Sequence, residues 1–258
     1  MEANFISGID RQIQIHQLIS RQLRISISEI CERFAISEAT ARRDLEALAV
    51  DGKIQRVHGG AIALNKAPAE MPLLQRQGEQ AEEKMRIGQV AASLVPDGGT
   101  VFLGSGTTVL EVARSLRSRQ NLTVITNSLS VVNVFAGLEN ITLICLGGLL
   151  RDSELSFIGH LTEQALAEVR ADQVIIGTRA INLEQGLTND YLPETMTDRA
   201  ILKAGRQVIV VVDHTKFGLV STARLAPIDS IHTLVTSAEI APDLLKAVRD
   251  RGVEVILA

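Results

Sequence analysis

Glycine, serine and threonine residues cluster between a predicted β-strand and a predicted helix, and residues of these types could bind an anion. Glycines let backbone N–H groups approach an anion, and a helix directs its positive end at its own first turn. No lysine follows at the spacing of a Walker loop. The stretch is therefore either a phosphate-binding loop or a plain strand-to-helix turn capped by threonine. It follows strand 101–103 and consists of Gly104, Ser105, Gly106, Thr107 and Thr108.

Three further predicted strand ends carry small polar residues, glycines or cations. Ligands of parallel α/β sheets bind at the carboxyl ends of the strands. Four such ends at one edge predict a site for a phosphorylated, polyhydroxylated ligand. The three ends supply Asn127 and Ser128 after strand 122–126, Gly147, Gly148 and Arg151 after strand 141–146, and Lys216 after strand 208–212.

Acid–base catalysis is the competing chemistry for this edge. Asp213 and His214 are adjacent, and Glu194 and Asp198 are further candidates. Neighbouring residues on a strand point to opposite faces, so Asp213 and His214 cannot easily both face a ligand. The sequence has no recognisable Ser/His/Asp order and no metal-ligand cluster. We therefore expect no catalytic residue, metal or cofactor, and a sugar-phosphate isomerase or hydrolase with a helical appendage is the alternative.

From residue 81 onward, predicted helices alternate with runs of apolar, mostly β-branched residues, and these elements must position the loops. The runs are continuous rather than alternating, which indicates strands of a largely parallel sheet buried on both faces. The predicted fold class is therefore α/β. Helices are predicted at 81–95, 107–118, 129–137, 160–169, 194–204 and 241–250, and strands at 101–103, 122–126, 141–146, 173–176, 208–212, 233–236 and 253–257.

The first 62 residues show short helices with clear start signals. Ser26 and Glu29 form a capping-box pattern, and Ser37 can cap the next helix. Gly52, after Asp51, can end that helix in the left-handed conformation. A β-prone piece, 53–57, follows. Two short helices joined by a tight turn and followed by a β-prone piece predict a winged helix-turn-helix.

The second helix of this pair has an apolar stripe of Ala41, Leu45 and Leu48. Its other faces are polar and suit DNA phosphates and base edges. A plain three-helix bundle with solvated arginines is the alternative. The residues predicted to contact DNA are Ser37, Glu38, Thr40, Arg42 and Arg43 on the helix and Arg56 and His58 in the wing.

Charge and composition limit these interpretations. The chain of 258 residues has a net charge of −4 and only 3% aromatic residues, so we expect an aliphatic core and no generally basic coat. Residues 1–62 contain as many acidic as basic side chains, so any attraction to DNA must come from a few placed residues. We expect a DNA-binding domain at 1–62, a linker at 63–80 that contains Pro68 and Pro72, and a ligand-binding domain at 81–258.

Cysteine usage and hydropathy indicate a cytoplasmic protein. Cys31 and Cys145 lie far apart in apolar surroundings, and we expect two buried free thiols. No apolar run approaches the roughly 18 residues of a membrane helix. The first residues lack the basic and apolar regions of a signal peptide.

Together these motifs resemble the DeoR family of bacterial transcriptional repressors, over nearly the whole chain. Stretches 36–45 and 56–61 resemble the family's DNA-binding signature, with Ala41 where the family usually has isoleucine. Loops 104–108, 126–128, 146–151 and 213–218 resemble its sensor domain. That domain is similar in fold to ribose-5-phosphate isomerase and coenzyme A transferases.

The resemblance implies a repressor whose hold on operator DNA is loosened by a phosphorylated sugar or a sugar-derived metabolite. Arg179 stands where the family commonly has a small residue, and it adds a cation to the ligand site if it faces the pocket. A single small DNA-binding domain recognises few base pairs, so we expect a homodimer or homotetramer that binds repeated half-sites.

Overall fold

The computed structural model describes residues 7–22, 24–50, 53–63, 65–68 and 70–258. It divides into two compact units, Met1–Lys66 with Gly218–Val220, and Ala67–Phe217 with Ser221–Ala258. The boundary falls inside the stretch 63–80 that the sequence predicts as a linker. Part of that stretch is folded into the second unit, where Leu73 and Arg76 are buried. The predicted helix end at Asp51 and Gly52 lies outside the described residues.

The first unit combines three helices with a small antiparallel sheet. Strand β3 lies in the centre of this sheet and pairs with β1 on one side and β2 on the other, so the predicted wing is present. A further short strand, β4, pairs in parallel with a strand from late in the chain, Leu219–Val220. The elements are α1 (Gly8–Gln22), β1 (Arg24–Ser26), α2 (Ile27–Phe34), α3 (Glu38–Val50), β2 (Ile54–Val57), β3 (Gly60–Ala63) and β4 (Asn65–Lys66).

Local hydrogen bonds explain where α2 and α3 begin. The Ser26 hydroxyl accepts the Glu29 N–H at 3.2 Å, and the Glu29 carboxylate accepts the Ser26 N–H at 2.7 Å, which confirms the predicted capping box. The Ser37 hydroxyl accepts the Thr40 N–H at 3.3 Å. Helix α2 ends at Ala35 in the left-handed conformation, and the chain turns directly toward α3.

One buried carboxylate ties α1 to α3. Asp44 is only 4% exposed, and its oxygens accept hydrogen bonds from Arg11 Nε at 2.6 Å and Gln12 Nε2 at 3.1 Å. Around it, the stripe residues Ala41 and Leu45 are fully buried. The position of α3, and hence of its polar face, therefore depends on an ion pair as well as on apolar packing.

A seven-stranded parallel sheet forms the centre of the second unit. Its order is β17-β16-β13-β10-β5-β6-β7, and every neighbouring pair is parallel, which confirms the predicted sheet. Its strands are β5 (Thr100–Leu103), β6 (Leu122–Thr126), β7 (Ile141–Cys145), β10 (Ala171–Ile176), β13 (Gly205–Val211), β16 (Thr233–Thr236) and β17 (Glu254–Leu257).

Helices cover both faces of this sheet. Alternate residues of one strand enter different apolar clusters: Val174 and Ile176 of β10 join one, and Ile175 joins the other. Both faces are therefore buried, as expected for a parallel sheet. The helices of this unit are α4 (Leu73–Arg76), α5 (Ala81–Ser93), α6 (Thr107–Leu116), α7 (Leu129–Phe135), α8 (His160–Ala167), α9 (Leu192–Ala204) and α10 (Pro242–Arg249).

Several short strands outside the seven-stranded sheet were not predicted from the sequence. Strands β8 and β9 form a hairpin, β12 pairs with β11 and β15, and β14 is the partner of β4. Each has four residues or fewer, too short for a period to be recognised. They are β8 (Leu149–Arg151), β9 (Ser156–Ile158), β11 (Ala180–Asn182), β12 (Gly186–Asn189), β14 (Leu219–Val220) and β15 (Ala223–Ala226).

The expectation of two buried thiols is wrong. Both cysteines are free, but Cys31 is only partly buried and Cys145 is exposed. Cys145 ends β7, and β7 is an edge strand of the sheet with neighbours on one side only. Among the described residues, no helix is long and apolar enough to cross a membrane.

Replacing Asp44 with alanine should destabilise the first unit by about 2 kcal/mol, because the Arg11 guanidinium loses its charged partner in a site where it is largely shielded from water. Urea unfolding followed by circular dichroism measures the change. Glu46→Ala on the same helix is the control. It removes the exposed pair with Arg56, and we expect an effect within about 0.5 kcal/mol. Equal effects of the two changes would contradict a structural role for Asp44.

Candidate functional site

The polar face of α3 is open to solvent. Arg42 and Arg43 are both exposed, and Arg42 pairs with Glu38 one turn earlier at 3.2 Å. Both side chains of that pair are more than half exposed, so the pair is weak and its arginine is available to another anion. Thr40 is partly buried, and its hydroxyl lies 3.0 Å from that of Ser37.

The wing presents two more of the predicted DNA contacts. Arg56 on β2 pairs with Glu46 of α3, and His58 is exposed in the turn between β2 and β3. The turn requires its two glycines. Gly59 has a φ of +85°, and a Cβ on Gly60 would lie 2.1 Å from the carbonyl oxygen of Ile25. The sequence pattern therefore fixes the shape of the wing tip as well as its charge.

A pocket in the second unit opens at the carboxyl ends of β5, β10 and β13. Its floor is the start of α6, where Gly106 has a φ of +110°. The first N–H groups of a helix have no partner within the helix, and they carry its positive end. Of the residues predicted to bind an effector, the pocket brings together Ser105, Gly106, Thr107, Thr108, Arg179 and Lys216.

Two lysines give the pocket positive charge. Lys84 of α5 is only 4% exposed, and its ammonium donates to the carbonyl oxygen of Arg76 at 3.1 Å. Burial lowers the pKa of Lys84, and the nearby Asp213 carboxylate opposes that shift. Lys216 is partly exposed, and the described residues offer its ammonium neither a hydrogen bond nor an ion pair. Lys216 is thus the cation best placed to meet an incoming anion.

Two carboxyl groups that line the pocket have perturbed acidity. Asp198 of α9 accepts a hydrogen bond from Asn189 Nδ2 at 2.9 Å, and burial raises its pKa to about 7. Burial also raises the pKa of Glu154 to about 7, the Glu70 carboxylate adds to the shift, and Arg76 opposes it. Near neutral pH these groups can either donate or accept a hydrogen bond, which suits sugar hydroxyls.

Arg151, predicted to bind the effector, lies outside the pocket lining. It pairs with Glu194 and with Glu70, the latter at 2.8 Å, and its guanidinium lies 4.6 Å from the centre of the Tyr191 ring. Its charge is therefore already neutralised by two carboxylates. Arg76, which the sequence analysis did not single out, pairs with Glu154 and supports the same wall.

The predicted residues after β6 and β7 also lie outside the pocket lining. Asn127 Nδ2 donates to the carbonyl oxygen of Phe157 at 3.0 Å, and the Ser128 hydroxyl caps α7 by accepting the Val131 N–H. The loop after β6 therefore holds the β8–β9 hairpin. Gly147 and Gly148 pack against α8, and a Cβ on Gly148 would lie 2.1 Å from Thr162 Oγ1. Strand β5 separates β6 and β7 from the β10 side, where the pocket lies.

Asp213 and His214 contact different groups, although neither lies on a strand, because β13 ends at Val211 and Asp213 caps the short turn His214–Lys216. Asp213 lines the pocket, whereas His214 Nδ1 lies 3.0 Å from both carboxylate oxygens of Glu83. An acid–base pair acting on one bound ligand is therefore not formed by these two residues. The described residues contain no group of three or more metal-ligating side chains.

The comparisons with known proteins decide the family. Residues 11–67 match the DeoR-like helix-turn-helix domain, and residues 79–238 match the DeoR C terminal sensor domain. The chain belongs to the DeoR family. It is therefore a DNA-binding transcriptional regulator with a sensor domain.

Two DeoR-family relatives match almost end to end. Transcriptional repressor AccR of Agrobacterium fabrum is 35% identical over 91% of this chain and 91% of its own length. The glycerol-3-phosphate regulon repressor of Escherichia coli is 34% identical over 96% of this chain and 99% of its own. Both are repressors by name, in agreement with a regulator rather than an enzyme.

The solved structures match only in part. Ribose 5-phosphate isomerase A of Methanocaldococcus jannaschii aligns with a TM-score of 0.41 and 19% identity, over 54% of this chain and 55% of the isomerase. The α/β fold of the DeoR sensor unit described above follows from its own strand order.

Replacing Asp198 with asparagine should reduce the pH dependence of stability. A carboxyl group whose pKa is raised on folding binds more protons in the folded state, so it contributes stability at low pH that is lost as pH rises toward about 7. We expect the wild-type free energy of unfolding to fall more between about pH 5 and pH 8 than that of D198N. Urea unfolding across this range tests the prediction, with the exposed Asp243→Asn as the control. Identical pH profiles for wild type and D198N would contradict it.

Proposed function

We propose that this chain represses carbohydrate-catabolism genes and that a phosphorylated sugar or sugar-derived metabolite controls it through the pocket above β5, β10 and β13. The observation that carries the proposal is that the start of α6 and Lys216, two independent sources of positive potential, line the same pocket. The name of the glycerol-3-phosphate regulon repressor supports the same class of effector.

The ligand would lie with its phosphate over loop 105–108 and its hydroxyls toward α9. Backbone N–H groups and the two threonine hydroxyls would hold the phosphate oxygens, and the Lys216 ammonium would balance their charge. Asp198 and Asn189 would bond the sugar hydroxyls, in place of the Asn127 expected from the sequence. Arg151 would act indirectly, by holding Glu70 and Glu194 in the wall.

On DNA, the start of α3 would enter the major groove. Thr40 and Arg42 would contact base edges or adjacent phosphates, and Arg43 would bind the phosphate backbone. Ser37 and Glu38 would lie next to these contacts. Arg56 and His58 of the wing would touch phosphate or the minor groove. Because the unit is small, a homodimer or homotetramer would place several copies on repeated half-sites.

Fluorescence anisotropy with DNA from upstream of the chain's own gene tests the proposal. We expect sequence-specific binding at roughly physiological salt that at least one of glycerol 3-phosphate, ribose 5-phosphate, glucose 6-phosphate and fructose 6-phosphate weakens. The corresponding unphosphorylated compounds are the controls and should have no effect. Specific DNA binding that responds equally to phosphorylated and unphosphorylated compounds would refute the assignment of the pocket.

Replacing Arg43 with alanine should weaken DNA binding and lower the slope of log affinity against log salt by about 1, because one phosphate contact releases about one counterion. Anisotropy titrations at several salt concentrations measure the slope. Arg117→Ala, on the exposed surface of the second unit, makes the same change in net charge. We expect the wild-type slope for R117A. A wild-type slope for R43A would show that Arg43 does not meet a phosphate.

Replacing Lys216 with alanine should weaken sugar-phosphate binding by about tenfold, or about 1.4 kcal/mol, because the phosphate loses its cationic partner. Isothermal titration calorimetry with the active compound of the panel measures this. Lys203→Ala, on the exposed side of α9, is the matched loss of a lysine and should leave the affinity unchanged. Undiminished binding by K216A would remove Lys216 from the site.

A further inference from the structure

Arg179 lines the pocket and also holds the stretch of chain that arrives from the first unit. Its Nη2 donates to the carbonyl oxygen of Pro68 at 2.6 Å, and its Nε donates to Asp190 at 3.2 Å. Pro68 is two residues beyond Lys66, where the first unit ends. The Arg179 side chain is only 8% exposed, whereas Pro68 is exposed.

The position of Arg179 is fixed from two sides. Its own N–H donates to Asn189 Oδ1 at 3.0 Å, and Asp190 accepts a second hydrogen bond from the Ser221 hydroxyl at 2.6 Å. Asn189 also binds Asp198 in the pocket wall. The guanidinium is therefore presented to the pocket and to Pro68 by the same framework.

A bound phosphate and the Pro68 carbonyl are competing acceptors for Arg179 Nη2, while the Asp190 carboxylate accepts a hydrogen bond from Nε. The Pro68 carbonyl is neutral, whereas a phosphate carries close to two negative charges near neutral pH. Charge-assisted hydrogen bonds between arginine and phosphate are about twice as strong as those to neutral acceptors. A phosphate bound over loop 105–108 therefore competes with Pro68 for Arg179.

We propose that Arg179 is the residue through which the occupied pocket acts on the DNA-binding unit. Phosphate binding draws the guanidinium away from Pro68 and releases the chain at Pro68, two residues after Lys66 of the first unit. The Arg179–Pro68 contact, here called the latch, is closed in the free protein and open in the liganded one. This inference rests on the proposed function for the identity of the ligand, but the closed latch is a property of the free protein.

Residues that follow Pro68 are bonded to other parts of the second unit, and opening the latch would affect these bonds. Glu70 bridges Arg151 and Arg76, and the Leu73 N–H donates to the carbonyl oxygen of Ser153 at 2.7 Å. A shift at Pro68 is thus carried into a set of ion pairs with low solvent exposure. Breaking one such ion pair leaves a poorly solvated charge without a partner, which costs free energy. We therefore expect the residues that follow Pro68 to move together.

Arg179→Met tests the latch, since methionine keeps much of the side-chain volume but cannot donate. Arg117→Met is the matched control, because it makes the same change at an exposed arginine of the second unit that does not line the pocket. Hydrogen exchange of the free, full-length protein is measured for peptides covering 70–76. We expect faster exchange in R179M and wild-type exchange in R117M. Unchanged exchange in R179M would overturn the closed latch whatever the effector is.

The coupling is then measured as the ratio of operator-DNA dissociation constants with and without saturating sugar phosphate, using the compound of the four-member panel that acts on wild type. We expect a ratio of roughly 5–150 for wild type and R117M, and within about twofold of 1 for R179M. Arg179→Lys keeps the charge but cannot hold Asp190 and Pro68 together, so it should bind the compound yet lose most of the coupling.

The outcomes separate the two proposals. If no compound of the panel changes wild-type DNA binding, the proposed effector class fails, while the exchange experiment still decides the latch. If wild type responds and R179M or R179K responds equally, Arg179 is only a pocket charge and the latch is overturned. Thermal unfolding of each variant confirms that a lost response is not a lost fold.

Discussion

Parallel pairing of the central sheet is the constraint on which the rest of the sensor unit depends. Because all seven strands run in one direction, the loops after β5, β10 and β13 meet at one edge although they are far apart in sequence. The pairing is close: the Gly104 N–H donates to the Ile175 carbonyl oxygen, and a Cβ on Gly104 would lie 3.1 Å from Ile176. The chain must therefore leave β5 through a glycine and turn at once into α6, which directs the positive end of that helix into the pocket.

Charge pairing then decides what this edge can bind. Burying a carboxylate or a guanidinium is costly unless a partner is present. Arg76 and Arg151 satisfy the acidic wall formed by Glu70, Glu154 and Glu194, so these charges largely cancel. What remains for a ligand is the positive potential of the start of α6 and Lys216, together with the carboxyl group of Asp198, whose pKa is raised. A molecule that carries both a phosphate and hydroxyl groups fits this combination.

Much of this could be predicted from the sequence because it depends on local pattern. Continuous apolar runs predicted every strand of the large sheet, and Ser26 with Glu29 predicted the start of α2. The neighbours of a strand and the partner of a charge depend on contacts that are distant in sequence. Arg151 therefore looked like a ligand cation, whereas it is paired with Glu70 and Glu194. Glu70 and Arg76 were missed because they lie in a stretch with no period, and Asp44 because nothing local marks a buried carboxylate.

Residues 1–62 carry no net charge, so we propose that a few exposed residues of α3 and the wing account for the affinity for DNA and that modest changes in their placement control it. Control by the pocket requires that sugar phosphate and operator DNA change each other's affinity by the same factor. Calorimetric titration of the active sugar phosphate into free protein and into protein saturated with operator DNA measures this factor directly. We expect weaker binding to the DNA complex, by the factor with which the compound weakens DNA binding. Equal affinity for the two forms would contradict control of DNA binding by this pocket.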